Sequence, residues 1–228
     1  MIYLNLGRRE NGKSTLAYYM AAKKPRRLIL DARQDFRRPG ALIARTDEQL
    51  DYALQLLAEG TVQEVVYSPA YSPDEKNPLY AAGYLFAEHV ARWVMEHPRL
   101  PLVVIIDEIS FYDLSAGPLQ WGMKTSRRDT MDFILTGHRP SDVPVDIRTI
   151  ADYWFFFRVT QEHDLDVVRQ KCRGPIVELV QQLPDRHYLM WNDTNATHAI
   201  GDDPDLWFVE LKPHGAQVID LDGRPDLR

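Results

Sequence analysis

The feature that most constrains the fold is a glycine-containing loop near the start of the chain. Residues 7–14 read GRRENGKS, which matches the pattern G-x-x-x-x-G-K-[ST] in full. The apolar run IYLNL at 2–6 precedes the loop, and KSTLAYYMAAKK at 13–24 follows it with the composition of a helix. A strand, a loop and a helix in this order present backbone N–H groups and a helix N-terminus to an anion. The sequence therefore predicts a phosphate-binding loop.

The positions of this loop have distinct predicted tasks. We expect Lys13 to bridge the β- and γ-phosphates of a nucleotide and Ser14 to ligate Mg²⁺. The predicted nucleotide-binding residues are Gly7, Arg8, Arg9, Glu10, Asn11, Gly12, Lys13, Ser14 and Thr15. The tip is unusual, because Arg8, Arg9 and Glu10 stand where many such loops carry small residues.

A second candidate element is the acidic strand end in LVVIIDEIS at 102–110. Its apolar run is typical of a strand at the centre of a parallel sheet, where both faces are covered. Such a strand places Asp107 at the carboxyl edge of the sheet, where ligands of open α/β folds bind. We expect Asp107 to hold Mg²⁺ and Glu108 to orient the attacking water as general base.

Strands alternate with helices along most of the chain, which predicts a doubly wound, mainly parallel α/β sheet. The order indicates a P-loop NTPase core of the RecA/ASCE type, with one strand between the loop strand and the Asp107 strand. Thr46 and Gln49 fit a capping box, and Gly60 ends the helix that follows. The segments at 186–193 and 206–213 are expected as extra C-terminal strands at an edge. Without a convincing linker, residues 1–228 are expected to form a single domain.

Composition narrows the class of function. The net charge of −6 argues against a uniformly basic nucleic-acid binder, so any such contact must come from local clusters such as KTSRR at 124–128. The single cysteine, Cys172, excludes an internal disulfide and a four-cysteine zinc site. We find no signal peptide and no apolar run long enough to span a bilayer, so an intracellular soluble protein is expected.

Absent motifs separate the kinds of nucleotide hydrolase. The chain lacks the N-K-x-D signature of a regulatory GTPase and the L-S-G-G-Q-like signature of a transporter ATPase. The Asp-Glu pair after the buried strand is instead typical of motor-type ATPases that add a catalytic glutamate. ATP and Mg²⁺ are therefore the expected cofactors.

The segment DFILTGHRPSDVPVDIRTIADYWFFFRV at 132–159 makes the comparison more specific. Together with the loop and VVIIDEIS, it resembles the FtsK–HerA superfamily of DNA-pumping ATPases. Within that superfamily, a chain of this length is most similar to the genome-packaging ATPases of tailless, membrane-containing viruses. The likeness covers roughly residues 1–160 well and the tail weakly.

This resemblance implies an ATP-hydrolysing translocase that packages a viral genome into a preformed capsid. The implied partners are double-stranded DNA, further copies of the chain in a ring, expected to be a hexamer, and capsid or packaging-vertex proteins. It implies a place in the host cytoplasm during assembly and at the packaging vertex of the virion, with any membrane association made through partners.

The resemblance also implies roles for particular residues. His138 occupies the position before Arg-Pro where the family commonly has a glutamine that senses the γ-phosphate. Arg139 lies beside it. Either Arg127 or Arg128 corresponds to the arginine that reaches a neighbouring subunit's nucleotide, and the sequence does not choose between them. The tip of the loop, in a ring, would face the adjoining subunit. Trp121 in the same region is either a DNA contact or part of an interface.

Three other functions stay open at this point. The first is a different member of the same superfamily, such as a filamentous-phage assembly ATPase or a repair translocase. The second is a nucleoside or nucleotide kinase, for which KKPRR at 23–27 or DARQDFRRP at 31–39 would belong to a lid or acceptor site. The third is a nucleotide-dependent assembly module that does not hydrolyse its ligand.

Overall fold

The computed structural model describes residues 1–31, 40–69, 78–112, 117–126, 130–172, 176–184 and 186–192, with short strands at 211–212 and 215–216. The main strands are β1 (Ile2–Leu6), β2 (Arg27–Leu30), β3 (Leu42–Ala44), β4 (Glu64–Tyr67), β5 (Leu102–Ile106), β6 (Met131–Gly137), β7 (Tyr153–Phe157) and β8 (Tyr188–Asn192). The helices are α1 (Lys13–Ala21), α2 (Asp47–Glu59), α3 (Pro78–Glu96), α4 (Pro118–Thr125), α5 (Val145–Ile150), α6 (Glu162–Lys171) and α7 (Ile176–Gln182). No helix among these residues is both long and apolar enough to cross a membrane.

The strands form one sheet in the order β3-β4-β2-β5-β6-β1-β7-β8. Neighbouring strands are parallel except for β8, which pairs with β7 in the antiparallel sense. Strand β6 lies between β1 and β5, so the expected strand between the loop strand and the Asp107 strand is present. The predicted α/β fold with a mainly parallel sheet is confirmed.

Both faces of the sheet are covered, and β5 shows why its sequence is apolar throughout. Val103 and Ile105 pack against α1 on one face. Leu102, Val104 and Ile106 belong to the larger core on the other face, which includes α3. A strand buried on both sides cannot alternate apolar and polar residues, which explains the continuous run.

The ends of α2 follow the local rules that its sequence predicts. The Thr46 hydroxyl accepts a hydrogen bond from the Gln49 N–H at 3.3 Å, and the Gln49 side chain accepts one from the Arg45 N–H at 2.8 Å. Gly60 follows the helix with a φ of 80°, which glycine adopts without steric cost. The predicted cap and stop of this helix are confirmed.

The edges of the sheet differ in part from the sequence-based expectation. Strand β3 was not predicted, because three residues with a half-exposed Ile43 carry too weak a pattern. The segment at 186–193 does form an antiparallel edge strand, β8. Of the segment at 206–213, residues 206–210 and 213 lie outside the described residues, and Leu211–Lys212 pairs with Gly215–Ala216 in a separate two-stranded sheet.

Candidate nucleotide-binding site

The predicted phosphate loop joins β1 to α1 at the carboxyl edge of the sheet. Gly7 lies so close to β7 that an added Cβ would stand 2.4 Å from the Cβ of Phe157. Gly12 precedes α1 with a φ of 92°, and Glu10 at the tip has a φ of 64°. Left-handed residues near a helix N-terminus turn successive N–H groups toward one point, which is the geometry of an anion cradle.

Lys13 lies inside this loop, with 5% of its surface exposed. Its Nζ donates a hydrogen bond to the Arg8 carbonyl oxygen at 2.7 Å. Its own carbonyl accepts a longer hydrogen bond, 3.4 Å, from the Asn5 side chain on β1. The ammonium group is therefore held at the centre of the loop, where an anionic phosphate needs a cation.

Ser14 and Asp107 form the second part of the site. The Ser14 hydroxyl donates to Oδ1 of Asp107 at 2.9 Å, and the Thr136 hydroxyl on β6 donates to the same oxygen at 2.6 Å. Among the described residues, His, Cys, Asp and Glu side chains do not gather in any group of three that would bind a metal. The hydroxyl and the carboxylate fit Mg²⁺, which accepts few protein ligands and completes its shell with phosphate and water.

Glu108 follows Asp107 in a strained backbone conformation. Its φ and ψ are 58° and 64°, a left-handed geometry that residues with a Cβ rarely adopt. Its N–H donates to the Thr136 hydroxyl at 3.0 Å. The carboxylate is buried, and its Oε2 lies 3.0 Å from Nε2 of His138, just after β6. The carboxylate of this left-handed residue therefore lies beside the candidate sensor.

The tip of the loop contacts the ends of two strands in the same chain. Arg9 Nε donates to Nε2 of His138 at 3.4 Å, and the Arg8 guanidinium contacts the Thr160 hydroxyl beyond β7. A neutral imidazole nitrogen either donates or accepts, so His138 Nε2 cannot satisfy Arg9 and Glu108 at the same time. The two contacts of His138 are therefore alternatives.

Most of the residues predicted for the site converge on this edge. The contacts above bring together Gly7, Arg8, Arg9, Gly12, Lys13, Ser14, Asp107, Glu108 and His138. Glu10, Asn11 and Thr15 belong to the same loop and the start of α1, where Thr15 is exposed. Arg127 and Arg128 lie outside the described residues. Trp121, on α4, is 42% exposed.

Arg139 does not point its guanidinium group at His138. Its Nε donates to the buried Asp164 on α6 at 3.2 Å. Asp164 also accepts hydrogen bonds from the N–H and the hydroxyl of Ser141, at 3.2 and 2.6 Å. The residue after the candidate sensor therefore ties the sensor segment to α6.

A row of buried polar residues, not predicted from the sequence, lies beneath the loop. The pairing registers place Asn5, Thr136, Asp107, Asp31 and Ser68 level with one another, on β1 and β6 and just beyond the ends of β5, β2 and β4. Each is at most 3% exposed. We call these five residues the polar row. Each comes at or near the end of an apolar run, but only the strand order brings them together.

The fold and the loop define the class of this structure as the P-loop NTPase fold. It is similar to the genome packaging NTPase B204 of Sulfolobus turreted icosahedral virus 2 in complex with ATP-gammaS, with 20% identity, a TM-score of 0.59, and 85% of this chain and 92% of that chain covered. It is also similar to VirB4 of Thermoanaerobacter pseudethanolicus, with 9% identity, a TM-score of 0.60, and coverage of 84% and 87%.

A third similar structure is the bacterial conjugative coupling protein TrwB, with 11% identity, a TM-score of 0.55, and coverage of 83% and 82%. No protein-family model matches the chain. No curated protein matches its sequence. These similarities confirm the predicted P-loop NTPase fold.

Proposed function

We propose that this protein hydrolyses ATP at the site formed by the phosphate loop, Asp107 and Glu108. The observation that carries the proposal is the placement of Glu108. Its buried carboxylate directly follows the Asp107 carboxylate, which is hydrogen-bonded to Ser14 at 2.9 Å, and it lies 3.0 Å from His138. One carboxylate is thus available to a metal ion and a second, differently oriented one to a water molecule.

In the proposed reaction, Lys13 binds the phosphate chain and Ser14 and Asp107 hold Mg²⁺. The metal ion supplies positive charge to the phosphate oxygens. Glu108 accepts a proton from the attacking water, a bond forms between the water oxygen and the γ-phosphorus, and the bond to the β–γ bridging oxygen breaks. His138 donates a hydrogen bond to the γ-phosphate once its contact with Glu108 is released.

We further propose that hydrolysis drives the movement of double-stranded DNA and packages a viral genome into a capsid. Two lines of argument support this: the residues at 132–159 resemble those of DNA-pumping ATPases, and the fold is that of a genome packaging NTPase. On this proposal residues 1–228 form a single ATPase domain that works as a ring of six copies, in the host cytoplasm and at the capsid vertex.

A ring would place an arginine of one subunit at the nucleotide of the next. Arg127 and Arg128 are the candidates, and an arginine supplied in trans makes hydrolysis depend on assembly. Subunits carrying Arg127→Ala or Arg128→Ala should therefore regain turnover when mixed with Lys13→Ala subunits. Failure of both mixtures to regain activity argues against a finger in trans.

The decisive experiment measures phosphate release from ATP with and without double-stranded DNA, together with the mass of the protein in solution. We expect DNA-stimulated turnover by an oligomer, lost in Lys13→Ala and retained in the control Lys23→Ala, which changes an exposed lysine beyond α1. Absence of turnover in the unmodified chain overturns the ATPase proposal. Phosphate transfer to a nucleoside identifies a kinase instead, and turnover without any response to DNA overturns the translocase.

A further inference from the structure

Thr136 lies between Asn5 and Asp107 in the polar row, on the strand between the loop strand and the acidic strand. Its side chain is fully buried. A threonine hydroxyl has one hydrogen to donate and two lone pairs to accept with. In Thr136 the hydrogen is given to Oδ1 of Asp107 at 2.6 Å, and the Glu108 N–H is accepted at 3.0 Å. One hydroxyl thus contacts both acidic residues.

These two contacts act on different properties of the site. The bond to Asp107 orients a carboxylate that also accepts from Ser14, so it selects the rotamer offered to the metal ion. The bond from Glu108 satisfies its backbone N–H, in a residue with a φ of 58°. A left-handed residue with a Cβ persists only where its surroundings determine it.

We propose that Thr136 is a positioning residue for the reaction, which sets the geometry of Asp107 and Glu108 together. This inference rests on the proposed ATPase function. It assigns β6 a task beyond carrying His138 at its end: the strand couples the metal-binding carboxylate to the conformation of the general base. A shift of β6 relative to β5 changes both acids at once.

The test compares Thr136→Val, which keeps the shape and removes the hydroxyl, with Thr136→Ser, which keeps the hydroxyl. The first measurement is the affinity for the fluorescent analogue mant-ATP, in Mg²⁺ and in EDTA. Mg²⁺ should raise the affinity of the unmodified protein for mant-ATP, and this increase should be about tenfold smaller in the valine variant because Asp107 is no longer oriented. A loss of this size is expected when a buried polar group is left unsatisfied. The affinity of the valine variant in EDTA should equal that of the unmodified protein.

The second measurement is steady-state turnover. We expect kcat of Thr136→Val to fall by at least about tenfold, and KM to change by a smaller factor. The reason is that the Glu108 N–H loses its hydrogen bond to the Thr136 hydroxyl. Thr136→Ser should return both readouts to within about twofold. Thr149→Val is the matched control, because the Thr149 hydroxyl donates to a carbonyl of α5 on the exposed surface, and it should leave both unchanged.

Wild-type values of kcat and of the Mg²⁺ effect in Thr136→Val overturn the inference. Equal losses of affinity in Mg²⁺ and EDTA also overturn it, because they indicate a general structural role. If Thr136→Val does not fold, Thr136→Cys replaces it: the weaker thiol donor should give an intermediate loss, and wild-type behaviour again counts against the inference. An unmodified chain without turnover defeats the proposed function, whereas the mant-ATP measurement still tests Thr136.

Discussion

Two groups of buried acids lie at opposite ends of the same sheet face, and their partners differ. At the amino edge, Glu64 forms an ion pair with Arg27 at 2.7 Å. Asp132 forms ion pairs with Lys24 at 2.5 Å and with the Met1 ammonium at 3.1 Å. Each of these carboxylates is neutralised by a cation of the chain itself, as buried charges generally require.

At the carboxyl edge, Asp107 has uncharged partners among the described residues. Asp107 accepts hydrogen bonds from the hydroxyls of Ser14 and Thr136. Glu108 lies beside His138, whose imidazole is charged only when protonated. Helix α1 covers both groups, with its N-terminus over the carboxyl edge and its last turns over the amino edge.

The difference separates acids that stabilise the fold from acids that are available to a ligand. The charge of a carboxylate that is paired with Arg27 or Lys24 is already offset by that cation, so the carboxylate attracts a metal ion less strongly. A carboxylate bound by hydroxyls is oriented without a paired cation. We therefore expect substitutions at the amino edge to change stability and substitutions at the carboxyl edge to change activity.

The largest expected effect is that of Glu108→Gln on turnover. Loss of a general base lowers rates by about 10²–10⁴-fold, so kcat should fall in this range. Affinity for mant-ATP and the melting temperature should stay at wild-type values, because the amide keeps the shape of the side chain. Glu88→Gln, an exposed position on α3, serves as control. Turnover within threefold of wild type in Glu108→Gln would contradict the assignment of the carboxyl-edge acids to activity.

The next effect is the loss of stability in Arg27→Met. Arg27 is 15% exposed in its side chain, and its removal leaves the Glu64 carboxylate buried beside the Tyr18 hydroxyl without a cation. Breaking a buried pair in this way costs about 3 kcal/mol. Urea unfolding measures the change, and kcat per folded molecule should be unaffected. Arg169→Met, at an exposed ion pair on α6, is the control with little expected change. A drop in kcat with unchanged stability contradicts the assignment of this edge.

Gly7→Ala should have a smaller effect, which lowers both the stability of the protein and its affinity for nucleotide. The new methyl group would stand 2.4 Å from the Cβ of Phe157, so the loop and β7 must separate. Overpacking of this kind costs about 1–3 kcal/mol, and the displaced loop should bind mant-ATP more weakly. Gly122→Ala is the matched control, since its methyl group would have 3.6 Å to its nearest neighbour. Equal behaviour of the two variants contradicts the close approach of loop and strand.

The smallest expected effect concerns Asp142, in the segment after His138. Partial desolvation of its largely exposed side chain raises the pKa of this carboxyl, a change that Arg139 opposes and Asp164 reinforces. A carboxyl whose pKa is raised by folding lowers the stability of the folded state when it is charged. This cost is fully present above the folded-state pKa and disappears as the pH falls toward the unfolded-state pKa of about 3.9. Asp142→Asn should therefore raise the melting temperature slightly at pH 7.

The gain in Asp142→Asn should remain below about 1 kcal/mol, because the side chain is exposed. Differential scanning calorimetry at pH 7 and pH 4 measures it against the unmodified protein. A gain that is equal at both pH values, or larger at pH 4, contradicts the expected sign.

Local sequence patterns predicted the parts of the fold in which neighbouring residues decide the outcome. The Gly7–Ser14 loop, the ends of α2 and the buried strand β5 each follow from steric preferences, capping or apolar periodicity within a short stretch. The position of Asp107 and Glu108 at the end of a central strand was predicted in the same way, because the apolar run that they follow is visible in the sequence. The short edge strand β3 was not, because its three residues have no pattern of their own.

The tertiary structure decided which strand ends became neighbours. Thr136 lies far from Asp107 along the chain, and nothing local indicates that its hydroxyl contacts both acids. That contact arises from the register of β6 between β1 and β5, which the packing of the whole sheet determines. The sequence by itself determined a phosphate loop, an acidic strand end and an α/β sheet. The polar row, and the contrast between cation-paired and hydroxyl-bound acids, exist only because distant strands share one sheet.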